Sequence, residues 1–138
     1  MAQHHVVIVG GGFAGLAAAK ALANRDVQVT LVDRRNFHLF QPLLYQVATG
    51  GLSPADICAP IRAVLRSYKN IRTELAEVTG FDLAGKKVLL SDGEMSFDSL
   101  LVAAGARHHY FGNEQWEPLA PGLKTIEDPT AIRRKILW

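Results

Sequence analysis

The chain has 138 residues, 49% of them apolar and 20% charged, and its 15 Lys+Arg against 13 Asp+Glu leave a net charge of +2. This composition predicts one globular domain and argues against disorder. No basic block supports nucleic-acid binding, the single cysteine, Cys58, forbids an internal disulfide, and no apolar run reaches the ~18 residues of a membrane span.

Val6-Val7-Ile8-Val9 is wholly apolar and β-branched, which predicts a strand buried on both faces of a parallel sheet. It runs into Gly10-Gly11-Gly12-Phe13-Ala14-Gly15. A helix is predicted from Leu16 to Ala23, with Asn24 as its stop, and Val27 to Val32 reads as a second strand ending at Asp33. Together these form a βαβ unit. Phe37-His38-Leu39-Phe40 is apolar and aromatic, Gln41-Pro42-Leu43-Leu44 is expected to break any helix, and Thr49-Gly50-Gly51 is turn-like. A helix over 54–68 is predicted next, with Ser53 as N-cap, Pro54 first, Asp56 completing a capping box, and Ile57, Ile61, Val64, Leu65 and Tyr68 on one face. Residues 71–81, 86–91 and 95–97 read as the strands of a β-meander, the Asp92-Gly93 pair signalling a hairpin. Leu100-Leu101-Val102-Ala103 reads as another buried parallel strand, 107–123 as loop, and Ile126 to Trp138 as a helix with Asp128 or Thr130 near its start.

The strongest chemistry is the pattern Gly10-x-Gly12-x-x-Gly15. Glycine is common, so the pattern alone is weak. Here a strand precedes it, a helix follows, and an acid, Asp33, comes about 20 residues on. Gly10 permits the tight turn, Gly12 lets the backbone approach a pyrophosphate, and Gly15 allows close helix–strand packing. The helix start offers N–H groups and partial positive charge to phosphates. Asp33 is placed to accept hydrogen bonds from an adenosine ribose, which disfavours a 2′-phosphate there. Arg34 and Arg35 partly oppose that exclusion, and are either solvated surface charge or lie over the adenine or its ribose.

These residues resemble a known family. Val6 to Gly15, Val32-Asp33-Arg34, and the tract Phe37-His38-Leu39-Phe40-Gln41-Pro42-Leu43-Leu44-Tyr45-Gln46-Val47-Ala48-Thr49-Gly50 are similar to the N-terminal part of type II NADH dehydrogenases, single-subunit NADH:quinone oxidoreductases that carry FAD. Leu52 to Ile57, Tyr110-Phe111-Gly112, Trp116 and Ala120 to Asp128 resemble the same family. The resemblance implies a Rossmann-like α/β fold, a parallel sheet with helices and a small antiparallel meander, forming the FAD-binding half of a two-dinucleotide-domain flavoprotein. It implies that Gly10, Gly12, Phe13, Ala14, Gly15 and Asp33 hold the ADP half of FAD, with Arg34 beside them. The backbone of Val78 is expected near the adenine, with Ala76 on the same strand. Pro42, Leu43 and Thr49 match the tract that approaches the flavin ring. Ala104-Gly105 matches a Thr-Gly pair that closes over FAD, and the alanine removes a hydroxyl contact.

Family members continue beyond this point with a second glycine motif for NADH, a return segment that contacts FAD, and a C-terminal membrane-binding region. The 1–138 chain is therefore expected to be an N-terminal FAD-binding fragment, cytoplasmic, with peripheral membrane association only in a full-length protein. NADH and quinone are its expected partners in that context, and no catalytic residue is expected in it, because the cofactor carries the chemistry. Two further readings stand beside this one: a stand-alone dinucleotide-binding or assembly module without catalysis, and a fragment of a sulfide:quinone-type reductase. Uncovered apolar surface is expected to cause self-association. Phe37, Phe40, Leu44 and Tyr45 either line a quinone path or simply pack. Cys58 reads as a small buried hydrophobe, and His4, His5, His38, His108 and His109 match no metal-site spacing, so no metal is expected.

Overall fold

The apolar run that opens the sequence becomes an inner strand of a parallel sheet. In the computed structural model, which describes residues 3–138, the elements in chain order are β1 (His5–Val9), α1 (Phe13–Ala21), β2 (Gln28–Asp33), β3 (Phe37–Leu39), α2 (Leu44–Ala48), β4 (Cys58–Pro60), α3 (Ile61–Leu65), β5 (Ile71–Leu75), β6 (Val78–Asp82), β7 (Lys87–Leu90), β8 (Gly93–Ser96), β9 (Ser99–Val102) and α4 (Glu127–Leu137). They divide into two units. The first holds the chain up to His38 and Pro60–Gly105; the second holds Leu39–Ala59 and Ala106–Trp138.

In the first unit the sheet order is β5-β2-β1-β9, all parallel. Val9 lies beside Val32 and Val102, and Asp33 beside Leu75, so the carboxyl ends of all four strands finish at one edge. Successive side chains point to opposite faces. Ile8, Val29 and Leu31 therefore meet Leu16 and Ala19 of α1 and Ile61 and Leu65 of α3. Val7, Val9 and Val32 meet Ala76 and Val88 on the other face, which the antiparallel meander β6-β7-β8 covers. Burying each such aliphatic side chain contributes about 1.5–3 kcal/mol, so both faces favour this register.

Several expectations need correction. The helix over 54–68 does not form. Pro54–Ile57 is one 3-10 turn, Cys58–Pro60 is β4, and only Ile61–Leu65 is α-helical. Pro60 is the reason: it cannot donate within a helix and its ring clashes with the preceding turn. Cys58 consequently lies in a strand, half-buried. The Ser53–Asp56 capping box does form. The strand over 71–81 is two strands, broken at Ala76-Glu77, because β5 joins the parallel sheet and β6 the meander. Gln41-Pro42-Leu43 does not exclude helix: it forms a 3-10 turn with Pro42 near its start, where the missing N–H costs nothing, and α2 follows. The first helix starts at Phe13, before Leu16, and ends at Ala21; Asn24 beyond it takes a left-handed φ of 60°. β9 is parallel as expected but not buried. It pairs with β1 alone, and Leu101 and Val102 are exposed.

The second unit has its own small core. Leu44, Val47 and Ile57 are buried, and Leu39, Leu43, Leu52, Cys58 and Ile126 pack on them. The turn leading into α4 is fastened by Asp128, whose Oδ2 accepts from the N–H groups of Lys124 (2.7 Å) and Thr125 (2.8 Å).

Candidate functional site

At the carboxyl edge of the sheet, β1 ends and the glycine turn begins. Gly10 has φ 108°, a conformation open to glycine and strained for other residues, and its N–H donates to the Val32 carbonyl at 2.8 Å. A Cβ there would strike the Ala103 carbonyl, so the end of β9 presses against the turn. A Cβ on Gly15 would land on the Gly10 carbonyl oxygen and touch Ile8. The first turn of α1 can lie this close to β1 only without a side chain at position 15.

Gly12 differs. It is the N-cap of α1, no side chain caps the helix, and the first turn holds no acid. A Cβ on Gly12 would meet nothing within 4 Å. Gly11 is buried, whereas Gly12, Phe13 and Ala14 are exposed. A helix start normally leaves four N–H groups needing partners. Here Gly12 is exposed, and the partial positive charge is unanswered by any carboxylate of the helix's own first turn.

Asp33 lies at the end of β2, beside this turn. Its Oδ2 accepts from the Gly11 N–H at 2.6 Å, and its Oδ1 from the Arg35 N–H at 2.7 Å. The Asp33 carbonyl accepts from the Ala76 N–H at 3.1 Å. The carboxylate thus holds the turn, a role that spacing alone does not reveal. A cleft of about 200 Å³ lies next to it, lined by Asp33, Arg35, Ile61, Arg62, Thr73 and Leu75 among others. That volume is below the ~300–1,000 Å³ of whole drug-sized ligand sites.

The structure brings Gly10, Gly12, Phe13, Ala14, Gly15, Asp33 and Ala104 to one edge of the first unit; Ala104 Cα would lie 3.1 Å from a Cβ on Gly10. Gly105 follows with φ 76°. Ala76 is buried next to the end of β2, and Val78 packs on the meander side of the sheet. Arg34 is exposed and does not line the cleft; Arg35 does, with its guanidinium 5.6 Å from the centre of the Phe37 ring. Pro42, Leu43 and Thr49 belong to the second unit. Pro42 is exposed, Leu43 packs on that unit's core, and the Thr49 hydroxyl donates to the Tyr45 carbonyl at 3.0 Å, closing α2. Leu44 is a core residue there, and Phe40 and Tyr45 are exposed.

Sequence reasoning missed Arg62, Thr73, Gly11 and His38. Arg62 and Thr73 reach the cleft only because α3 and β5 converge on Asp33, which no local pattern encodes. Gly11 is an arbitrary residue in the motif, yet a Cβ there would strike Ile61. His38 donates from Nδ1 to the Gly11 carbonyl at 2.9 Å and meets the Phe13 ring edge-on, centroids 5.0 Å apart. Among the described residues no group of three or more His, Cys, Asp or Glu side chains is arranged to hold a metal ion, and no helix is long and apolar enough to cross a membrane.

Comparison with known proteins places this geometry in context. Residues 4–137 match the family described as pyridine nucleotide-disulphide oxidoreductase. The chain is 50% identical to the type II NADH:quinone oxidoreductase NdhA of Mycobacterium tuberculosis, over 98% of this chain and 30% of that protein. Its fold superposes on the sulfide:quinone oxidoreductase of Aquifex aeolicus with a TM-score of 0.89 at 28% identity, covering 97% of this chain and 32% of the other. With NDH2 of Plasmodium falciparum, solved in complex with NADH, the TM-score is 0.88 at 25% identity, covering 99% and 29%. The chain therefore spans about a third of the length of the proteins it matches.

Proposed function

Because the chain belongs to the pyridine nucleotide-disulphide oxidoreductase family, we propose that it is the FAD-binding part of an NADH:quinone oxidoreductase. One observation carries this reading: an uncapped helix start that faces open space, at a glycine turn, beside an acid at the end of the second strand. In it the turn residues Gly10, Gly12, Phe13, Ala14 and Gly15 hold the pyrophosphate of FAD, whose negative charge answers the α1 start. Asp33 keeps unused lone pairs on both oxygens for ribose hydroxyls. The cleft by Arg35, Arg62 and Thr73 takes the adenosine end, with Ala76 and Val78 along that side and Arg34 outside it. Ala104 and Gly105 cover the turn from β9. Pro42, Leu43 and Thr49 are assigned to the flavin ring on the family resemblance.

When bound, FAD supplies the hydride acceptor and electron carrier; the residues of this chain bind and orient it. The whole reaction, hydride from NADH and electrons onward to a membrane quinone, belongs to the full-length protein, as does peripheral attachment to the membrane. The 50% identity to an NADH:quinone oxidoreductase, against 28% to a sulfide:quinone oxidoreductase, favours NADH as the reductant. Exposed Phe111, Leu119, Ile136, Leu137 and Trp138 support self-association of the chain, and a monomer by light scattering at micromolar concentration counts against it.

The test is an absorbance spectrum of the purified chain before and after incubation with FAD and desalting. Retained flavin absorbance supports the reading. Complete loss of flavin, with the fold intact by circular dichroism, refutes an autonomous FAD-binding unit.

A further inference from the structure

We propose that His38 is the positioning residue of the phosphate-binding turn, aiming the Gly12 N–H at the ligand by holding the Gly11 carbonyl. The inference rests on the reading above for the identity of the ligand, but its geometry does not.

Gly11 is held at both ends. Its N–H donates to Asp33 Oδ2 and its carbonyl accepts from His38 Nδ1. A carbonyl only accepts, so Nδ1 carries the proton in this pairing. The peptide joining Gly11 to Gly12 is planar and trans. Its C=O and N–H therefore point in opposite directions. With the Gly11 carbonyl turned to His38, the Gly12 N–H is turned away from it. Gly12 is exposed, a Cβ on it would meet nothing within 4 Å, and its helix has no side-chain cap. Flipping that peptide would remove the first donor of the anion site while leaving α1 intact. His38 opposes the flip, and the edge-on contact of its ring with Phe13, in the first turn of the same helix, fixes the ring plane.

The test compares three variants of the 138-residue chain. His38→Phe keeps a ring for Phe13 and removes the donor. His38→Asn places an amide nitrogen close to the position of Nδ1. His38→Gln carries its amide one bond further out. Binding of ADP and of adenosine is titrated by calorimetry or ligand NMR. Loss of one oriented donor to a pyrophosphate is expected to weaken ADP by about tenfold in His38→Phe and His38→Gln. Adenosine, which lacks the pyrophosphate, stays within about twofold. His38→Asn is expected to restore most of the ADP affinity.

Equal loss of ADP and adenosine affinity, or unchanged ADP affinity in His38→Phe, overturns the proposal. If the unaltered chain binds neither ligand, the proposed function fails on its own. The Gly12 amide resonance of the ligand-free chain then decides the positioning claim: it moves in His38→Phe and returns in His38→Asn if the claim holds, and stays in place if it does not. Should His38→Phe fail to fold, His38→Gln against His38→Asn carries the same comparison.

Discussion

Gly15→Ala sets helix propensity against packing at one atom. Propensity favours the change, since alanine within a helix is about 1 kcal/mol better than glycine. Packing opposes it, because the new Cβ would overlap the Gly10 carbonyl oxygen, with Ile8 Cγ2 3.5 Å away. The obstacle is backbone, so no rotamer change relieves it, and α1 must lift from β1. Overpacking of this kind costs about 1–3 kcal/mol, and a rigid obstacle places it at the upper end. The net expectation is a destabilisation of about 1–2 kcal/mol, read in urea unfolding at constant slope or as a fall in Tm of roughly 3–8 °C. Flavin retention falls with it, since the turn moves with the helix. Gly12→Ala is the contrast: its Cβ enters open space, so stability changes by less than about 1 kcal/mol while ADP binding drops. A Gly15→Ala chain as stable as the unaltered one, still binding flavin, would refute the packing argument.

Asp33→Ala strips two backbone N–H groups of a charged acceptor; at about 1.5–3 kcal/mol for a hydrogen bond to a charged group, the chain loses stability in chemical denaturation even without nucleotide. Leu31→Ala opens a cavity where both α1 and α3 meet the sheet, costing about 2–5 kcal/mol, measured the same way. Asp98 receives the His5 N–H at 2.7 Å, which lowers its pKa below the usual carboxylate range. Its contribution is present above the ordinary aspartate pKa and is lost as pH falls through the lowered folded-state value. Asp98→Asn is therefore expected to flatten the acid limb of the stability profile and leave its shape above neutrality unchanged.

The parts of the fold that follow from local pattern were legible in the sequence. Val6 to Val9, the glycine turn, α1 and β2 each combine propensity, period and punctuation that agree. Residues 71–81 show where that stops. Their β-propensity is continuous, yet Ala76 bonds to the end of β2 and Val78 pairs with Leu90 in another sheet. Which sheet a strand joins depends on partners distant in sequence. Pro60 is a breaking signal present in the sequence, and the apolar spacing of Ile57, Ile61 and Leu65 points the other way. These residues enter two different cores, which helical periodicity cannot separate. At the site, Gly10, Gly15 and Asp33 could be read from spacing. Arg62 and Thr73 could not, because they reach the same cleft as Asp33 only through tertiary packing, and neither could the hold of Asp33 on the turn, which depends on hydrogen-bond geometry.

The strand order β5-β2-β1-β9 has a consequence in time. β1 is made well before the strand that closes one of its two edges, β9, which ends at Val102. At ribosomal rates of about 5–20 residues per second, roughly 5–20 s separate the two. During that interval the nascent chain presents Val6-Val7-Ile8-Val9 with an open hydrogen-bonding edge, the kind of segment that seeds aggregation. The glycine turn waits equally long, because the carbonyl against which Gly10 nests belongs to Ala103. The most ligand-like feature of the sequence is thus completed only when Ala103 has been made, and a chaperone that shields Val6 to Gly10 during synthesis would protect the fold and the site together.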